Sequence, residues 1–254
     1  MKKLILLNNG LNAFKFQFDD HLLDEIRNSY RSKLQCFLAD PRYQYLFEGG
    51  RRFDLPIEPS SNEYYLSSYG TNPLLWFSCN TFETYNIYKR FFDALEIESE
   101  VKELVDYDDK IVMYCGFLVI GNRAPNHIWH VDYDPNANAY TLITPLFDLD
   151  SDQGNLLYRS TDDQTVPYQY ALGEAIIFGD KFIHSTEPYS HSKNIRVLLS
   201  LTFGTDKLQY WPILKNTLAS QSKFLMLPCG HPYGSCRCLN PAGIASRPVV
   251  SKYV

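Results

Sequence analysis

The residues with the most chemistry to offer fall between Trp129 and Arg196. His130 and Asp132 stand two apart, and on an extended strand that spacing turns both side chains to one face, where they can meet a single ion. A third donor, His184, follows after fifty-one intervening residues. It closes the stretch from Ala175 to His184, two short apolar runs that read as buried strands broken by a Gly179-Asp180 turn. Two imidazoles and one carboxylate on one face of an octahedral ion leave three positions open, the donor set of non-haem ferrous centres. Open positions are where substrates coordinate. Arg196, twelve residues further on, begins Arg196-Val-Leu-Leu-Ser-Leu-Thr-Phe203, whose apolar character marks an inner strand. A guanidinium placed there needs a carboxylate or phosphate to receive its fork of donors, so an acidic guest is expected.

This order of residues resembles the 2-oxoglutarate- and Fe(II)-dependent dioxygenases, whose signature is H-x-D, a distal His and then an Arg for the cosubstrate's far carboxylate. The resemblance covers about residues 110 to 205. Asp152-Gln-Gly-Asn-Leu-Leu157 is similar to the family's glycine-containing turn, and Gly173-Glu-Ala-Ile-Ile-Phe178 to the strand that leads to the distal His. An H-x-D alone is common by chance; the whole series in order is far more specific. The resemblance implies a double-stranded β-helix, that is, a jelly-roll or cupin-like core. It also implies Fe(II) on His130, Asp132 and His184, 2-oxoglutarate chelating through its keto acid with Arg196 on the distal carboxylate, and O2 at the last position. Hydroxylation of an unactivated C–H bond, with release of succinate and CO2, would follow. Asp132 sets the chain apart from the halogenating branch, which has a small residue there. One departure is Leu198, where a common family pattern has a Ser sharing the carboxylate; Tyr114, Thr141 and Thr144 are the hydroxyls expected to take that part.

The elements that must position these residues are mainly β with flanking helices. From Lys110 onward the chain reads as short strands at Ile111 to Ile120, Ile128 to Asp132, Tyr140 to Phe147, Asn155 to Tyr158, Ala175 to Phe178, Phe182 to His184 and Ile195 to Phe203, separated by Gly, Pro, Asn and Asp. Before them, Asn8-Asn9-Gly10 and the alternating Phe14-Lys-Phe-Gln-Phe18 suggest a hairpin or edge strand. Asp19 or Asp20 is placed to cap a helix through about Leu38, and Thr81 a second one with Tyr85, Tyr88, Phe91, Phe92 and Leu95 on its core side. Glu98 to Val105 continues as helix, while Asp40 to Pro73 reads as a long irregular loop. Arg51, Arg52, Tyr64 and Tyr65 in that loop are candidate substrate contacts, as are Trp129, Tyr133 and Asn136 beside the ligands and Trp211 in the tail. Each could equally be packing or solvated surface. Asp180 is a turn residue or a partner for an imidazole, and His127 and His191 fall outside the ligand spacing.

At 254 residues, 45% hydrophobic, the chain has enough material for one sizeable core. We expect a single domain, with residues 1–109 supporting the sheet and contributing substrate loops, 110–206 forming the metal-bearing core, and 207–254 a basic C-terminal extension. That extension carries six cations and no Asp or Glu after Asp206, against a net charge of −5 overall. It either packs across an acidic body or forms a cationic rim for an anionic substrate. Cys229, His231, Cys236 and Cys238 within it make C-x-H-x4-C-x-C, four zinc-type ligands that read as a structural Zn site, a disulfide or free thiols. Cys36, Cys79 and Cys115, within apolar segments, read as buried thiols. No Lys/Arg stripe interleaved with aromatics points to nucleic acid. Nor does any apolar run approach the roughly 18 residues of a membrane span, and Leu4-Ile-Leu-Leu7 is too short for a signal-peptide core, so a cytoplasmic protein is expected. The substrate expected is a small, anionic metabolite such as an amino acid or natural-product intermediate. A protein or peptide side-chain hydroxylase, and a non-catalytic jelly-roll sensor of metal and acid, are the alternatives.

Overall fold

The computed structural model describes residues 4–7, 10–57, 62–68 and 72–239. Asn8 and Asn9 of the first turn, Tyr69 to Thr71 of the expected loop, and Arg247 and Lys252 of the basic tail lie outside the described residues.

The strands sort into two facing sheets because the chain keeps crossing from one to the other. β6 (Val112–Gly121), β7 (Ala139–Pro145), β10 (Glu174–Phe178) and β12 (Arg196–Gly204) pair in the order β10-β7-β12-β6 within the larger sheet. β8 (Leu156–Arg159), β9 (Thr165–Tyr168) and β11 (His184–Thr186) form the smaller one in the order β11-β8-β9. An isolated antiparallel bridge from His130 to His184 adds the segment after β6 to the open edge of β11. Eight stretches thus wind between two sheets, with antiparallel pairing throughout the core, which is jelly-roll winding.

Pairing register decides which residues face the small sheet. Arg196 lies opposite Gly121, Ser200 opposite Phe117 and Ile143, and Thr202 opposite Cys115 and Thr141, while Thr141 in turn meets Phe178. Residues in register share a face, and successive residues alternate between faces. Arg196, Leu198, Ser200, Thr202, Thr141, Ile143 and Phe178 therefore line the side toward the small sheet. There Ile176, Phe178 and Phe182 pack with Leu156, Tyr158 and Tyr168 in a minor core.

The other face holds the main core. A helical run from the Asp19 cap passes through α1 (Asp24–Ser29) and a π-type stretch at Tyr30–Gln35 to α2 (Cys36–Ala39). α3 (Phe82–Ala94) starts at Thr81 with a reciprocal capping box to Thr84 and buries Tyr85, Tyr88, Phe91 and Phe92, as its spacing predicts. α4 is short, Glu98–Val101, and α5 (Trp211–Gln221) follows β12. The hairpin β1 (Leu4–Leu6) and β2 (Ala13–Gln17) extends the large sheet beyond β10.

The region from Asp40 to Pro73 departs from expectation. Instead of an irregular loop, it contains β3 (Phe53–Pro56) and β4 (Tyr64–Ser68), which with β5 (Leu75–Cys79) add three strands beyond β6. Tyr64, Leu66 and Ser68 are buried and alternate with half-buried Tyr65 and Ser67, a period-2 pattern obscured by its polar and aromatic residues. Ile128 to Asp132 contains only the bridge at His130, and the strand expected to end at His184 begins there.

Gly116 marks a close approach of α3 to the sheet. A methyl group there would stand 2.5 Å from the Tyr88 ring and 2.8 Å from Leu201. Gly116→Ala should therefore destabilise the fold by about 1–3 kcal/mol through overpacking, read as a lower urea midpoint with unchanged slope.

Candidate active site

The centre is built on one backbone pairing. The amide of His130 donates to the carbonyl of His184 at 3.0 Å and the amide of His184 returns the bond to His130 at 2.9 Å. Directly opposed residues project to the same side, and the two imidazole centroids lie 4.3 Å apart. Asp132 joins them: its Oδ1 is 3.5 Å from Nε2 of His130 and 3.7 Å from Nε2 of His184. The ligand atoms of all three lie within 4.8 Å of one another.

The hydrogen bonds on the far sides of the rings fix what these nitrogens can do. Nδ1 of His130 contacts the carbonyl of Ile128 at 2.9 Å, and Nδ1 of His184 that of Phe182 at 3.0 Å. Because a carbonyl only accepts, each Nδ1 carries the proton, and each neutral ring turns an Nε2 lone pair toward Asp132. Lone pairs and a carboxylate oxygen converging at these separations are arranged for a cation between them.

Asp132 is held by a chain of hydroxyls. Thr141 Oγ1 donates to Oδ2 at 2.6 Å, which uses its only proton, so Tyr133 must donate its own to Thr141, 2.8 Å away. Asp180 accepts from the Asn136 amide at 2.6 Å, tying the turn before His184 to the loop after Asp132. Asn136 itself sits at φ 65°, a left-handed turn position.

Burial would raise the Asp132 carboxyl, but His130, His184 and Thr141 outweigh it and bring it down to about 2. Burial and then the neighbouring His130 push His184 down to about 4. His130 moves the other way: burial lowers it, while Asp132 and the Ile128 carbonyl raise it above its ordinary value. As pH falls, a proton therefore competes with a metal at His130 first. The His130 side chain is 48% exposed, against 13% and 6% for Asp132 and His184, so the centre opens to solvent on the His130 side.

Arg196 is 1% exposed, and among the described residues nothing accepts from its Nε or Nη2. What faces it are Tyr170 and Tyr189, with ring centroids 5.3 and 6.0 Å from the guanidinium carbon and neither hydroxyl in a well-formed hydrogen bond among the described residues. Burial raises both phenols and the cation only partly opposes this, so both stay protonated donors. Ser200, on the same face between Arg196 and Thr202, has a third unpartnered hydroxyl. Glycines shape the pocket. Gly121, opposite Arg196, leaves room for Leu74 and the Tyr189 hydroxyl, and Gly154, at φ +68°, lets the Tyr189 ring and the Glu187 carbonyl approach where a Cβ would stand at 2.7 and 2.5 Å.

The hydroxyls expected beside Arg196 are engaged elsewhere. Tyr114 donates to the Thr205 carbonyl at 2.6 Å, Thr144 faces the main core and donates to the Glu174 carbonyl at 2.9 Å, and Thr141 serves Asp132. Tyr170 and Tyr189 face Arg196 instead, and Ser200 lies on the same sheet face. Ser200 was recoverable from sequence, lying an even number of residues after Arg196; the tyrosines sit in loops without periodicity.

Several candidate substrate contacts also fall away from the centre. Trp129 has opposite parity to His130 and stacks with His127 at 5.9 Å, under Arg159 at 4.4 Å, on the outer surface of the small sheet. Tyr133 is buried behind Asp132. Tyr64 is core, bonded to Ser29 at 2.8 Å, and Tyr65 lies under Lys223. Arg51 and Arg52 flank β3, the outermost strand, five places from β7. Trp211 packs on Tyr233 in the tail. Asn136 is tied by its amide to Asp180 in the turn before His184, and Tyr133 reaches Asp132 only through Thr141. Lys207 pairs with Asp106 and Asp108, and Lys223 with Asp54, so these tail cations pack across the acidic body and form no rim.

No protein-family model and no curated protein sequence matches the chain. Among solved structures, AviO1 from Streptomyces viridochromogenes is 12% identical with a TM-score of 0.50, over 76% of this chain and 90% of AviO1. EvdMO1 is 14% identical at 0.50, over 76% of this chain but 47% of EvdMO1. The chain is a double-stranded β-helix protein. A prolyl-4-hydroxylase from Pseudomonas putida superposes at 0.46, with 13% identity over 77% of this chain and 94% of that one. Within the described residues of this double-stranded β-helix, no helix is long and apolar enough to cross a membrane.

Thr141→Val keeps the volume but removes the donor to Asp132. It should weaken ferrous or cobaltous ion binding about 10- to 100-fold in a metal titration, with affinity in both proteins falling as pH drops through the raised His130 value.

Proposed function

We propose that this chain is a ferrous, 2-oxoglutarate-dependent oxygenase acting on a C–H bond of a small molecule. The observation that carries the reading is the buried Arg196 guanidinium, without a counter-ion among the described residues, on the large-sheet face turned toward the small sheet that carries a converging pair of imidazoles and a carboxylate. Leaving such a cation unpaired costs of the order of several kcal/mol, which a carboxylate guest recovers.

The residues fit the group. His130, Asp132 and His184 supply the two-imidazole, one-carboxylate set that suits iron and leaves positions open. Arg196, Tyr170 and Tyr189 supply five guanidinium donors and two phenol donors for the far carboxylate of a keto diacid. Ferrous iron with 2-oxoglutarate supplies O2 activation: the keto acid is decarboxylated to succinate and CO2, one oxygen atom enters succinate, and the other is available to oxidise a C–H bond.

The chain's own part is positioning. The Tyr133-Thr141 relay holds Asp132 against rotation, and the Ile128 and Phe182 carbonyls hold the imidazoles in the tautomer that offers Nε2. Phe178 and Phe182 pack against His184, with ring centroids 4.7 and 5.6 Å away, and exclude water from that side. The half-exposed His130 marks the side from which a substrate enters.

A peptide substrate is the second reading, favoured by the open sheet edge along Ile128 to Asp132 and by the exposed Ile128, Val131 and Ile183 beside it. Turnover against a metabolite extract and against a peptide library, each searched by mass spectrometry for a gain of one oxygen, separates the two.

Anaerobic addition of Fe(II) and 2-oxoglutarate should produce a visible metal-to-ligand charge-transfer band, and admission of O2 should yield succinate. Asp132→Ala should abolish both. Arg196→Gln should retain the band at saturation while raising the 2-oxoglutarate requirement about tenfold to a hundredfold. Undiminished succinate formation by Asp132→Ala would rule the ligand set out.

A further inference from the structure

The C-terminal segment leaves α5 and is laid across the large sheet before it folds back. Ser222 Oγ and the Phe224 amide both donate to the Cys79 carbonyl on β5, at 3.2 and 3.1 Å, and the Met226 amide donates to the Tyr114 carbonyl on β6 at 2.7 Å. The chain then reverses. Gly230 N–H bonds the Leu227 carbonyl at 2.8 Å, Leu227 N–H the His231 carbonyl at 2.9 Å, and Tyr233 N–H the Leu225 carbonyl at 2.9 Å, with Gly230 at φ +76° making the turn. This hairpin carries Cys229 and His231 back onto Cys236 and Cys238.

Four soft donors meet there. Cys229 Sγ is 3.4 Å from Cys236 Sγ, and His231 Nδ1 is 3.8 Å from Cys236 Sγ and 3.6 Å from Cys238 Sγ. All four ligand atoms lie within 4.8 Å of one another. Sulfurs 3.4 Å apart are not in a disulfide, whose bond is about 2.05 Å. With zinc–sulfur bonds of about 2.3 Å and zinc–nitrogen bonds of about 2.0 Å, a tetrahedral site has sulfur–sulfur edges of roughly 3.8 Å and sulfur–nitrogen edges of roughly 3.5 Å. The three separations above match those edges to within about 0.4 Å, and the remaining pairs lie within 4.8 Å. The Cys238 amide also points at Cys236 Sγ from 3.2 Å, a donor that favours a thiolate there.

We propose that Cys229, His231, Cys236 and Cys238 form a Cys3His zinc centre, separate from the His/Asp centre, that pins the C-terminal segment against β5 and β6. Three thiolates select zinc over ferrous iron, whereas the two-imidazole, one-carboxylate set suits iron, so one chain sorts two metals by donor softness. Four filled tetrahedral positions leave no room for a substrate, which makes this a structural site.

The test uses the full chain. After dialysis against a chelator that strips the His/Asp centre, one zinc per chain should remain, in Asp132→Ala as in the parent, and Cys236→Ser and Cys238→Ser should each lose it. Should those variants fail to fold, the parent protein still decides the matter. Replacing zinc by cobalt should give a sulfur-to-cobalt charge-transfer band and intense tetrahedral d–d bands, both present in Asp132→Ala. Alkylation of the zinc-loaded protein should label Cys36, which is exposed and not buried as its apolar neighbours suggest, quickly and Cys238, also exposed, slowly. Absence of thiolate bands with cobalt, or equal labelling of Cys36 and Cys238 in the presence of zinc, would overturn the proposal without touching the oxygenase reading.

Discussion

A guanidinium that enters the protein interior with no anion to meet it among the described residues constrains everything around it. Arg196 heads a strand whose nine residues are all buried, and its face is fixed by pairing with β6 on one side and β7 on the other. A buried cation without its counter-charge is costly, and on the proposed reading that charge comes from a bound acid. The features next to it follow from that requirement. Two phenols stay protonated, a serine hydroxyl stands on the same face, and Gly121 and Gly154 let Leu74, Tyr189 and the Glu187 carbonyl pack closely around the site.

The metal-binding residues depend on a second, more local constraint. A single antiparallel pair, His130 with His184, sets both imidazoles on one side, while Thr141, one strand away in the large sheet, supplies the hydroxyl that orients Asp132. The centre therefore bridges the two sheets and exists only when both are in register. Phe178, in register with Thr141 on β10, then places a ring against His184. Tertiary pairing rather than the H-x-D spacing brings the donors together.

That distinction explains what could be seen in the sequence. His130, Asp132, His184 and Arg196 announce themselves because polar side chains at strand spacing in apolar surroundings are expensive and so informative. The helices at Asp20 and Thr81 were legible from caps and apolar spacing, and the strands from Val112 to Gly204 from short apolar runs. β9 was not, since Thr165-Val-Pro-Tyr168 carries a proline tolerated only because this is an edge strand. β4 was hidden by the tyrosines and serines that make up its alternation. Tyr170 and Tyr189 were beyond reach, because Tyr189 is placed by a bridge to Ala124 across two loops. Thr144 could have been set aside: it lies an odd number of residues from Thr141, so the two cannot share a face. Trp129 could have been set aside on the same ground relative to His130.

The most direct measurement is crystallographic. Crystals prepared without oxygen in the presence of Fe(II) and 2-oxoglutarate should show an anomalous peak at the iron edge within bonding distance of His130 Nε2, His184 Nε2 and an Asp132 oxygen, and a carboxylate of the keto acid on Arg196, Tyr170 and Tyr189. An iron peak elsewhere, or a keto acid bound away from Arg196, would contradict the account.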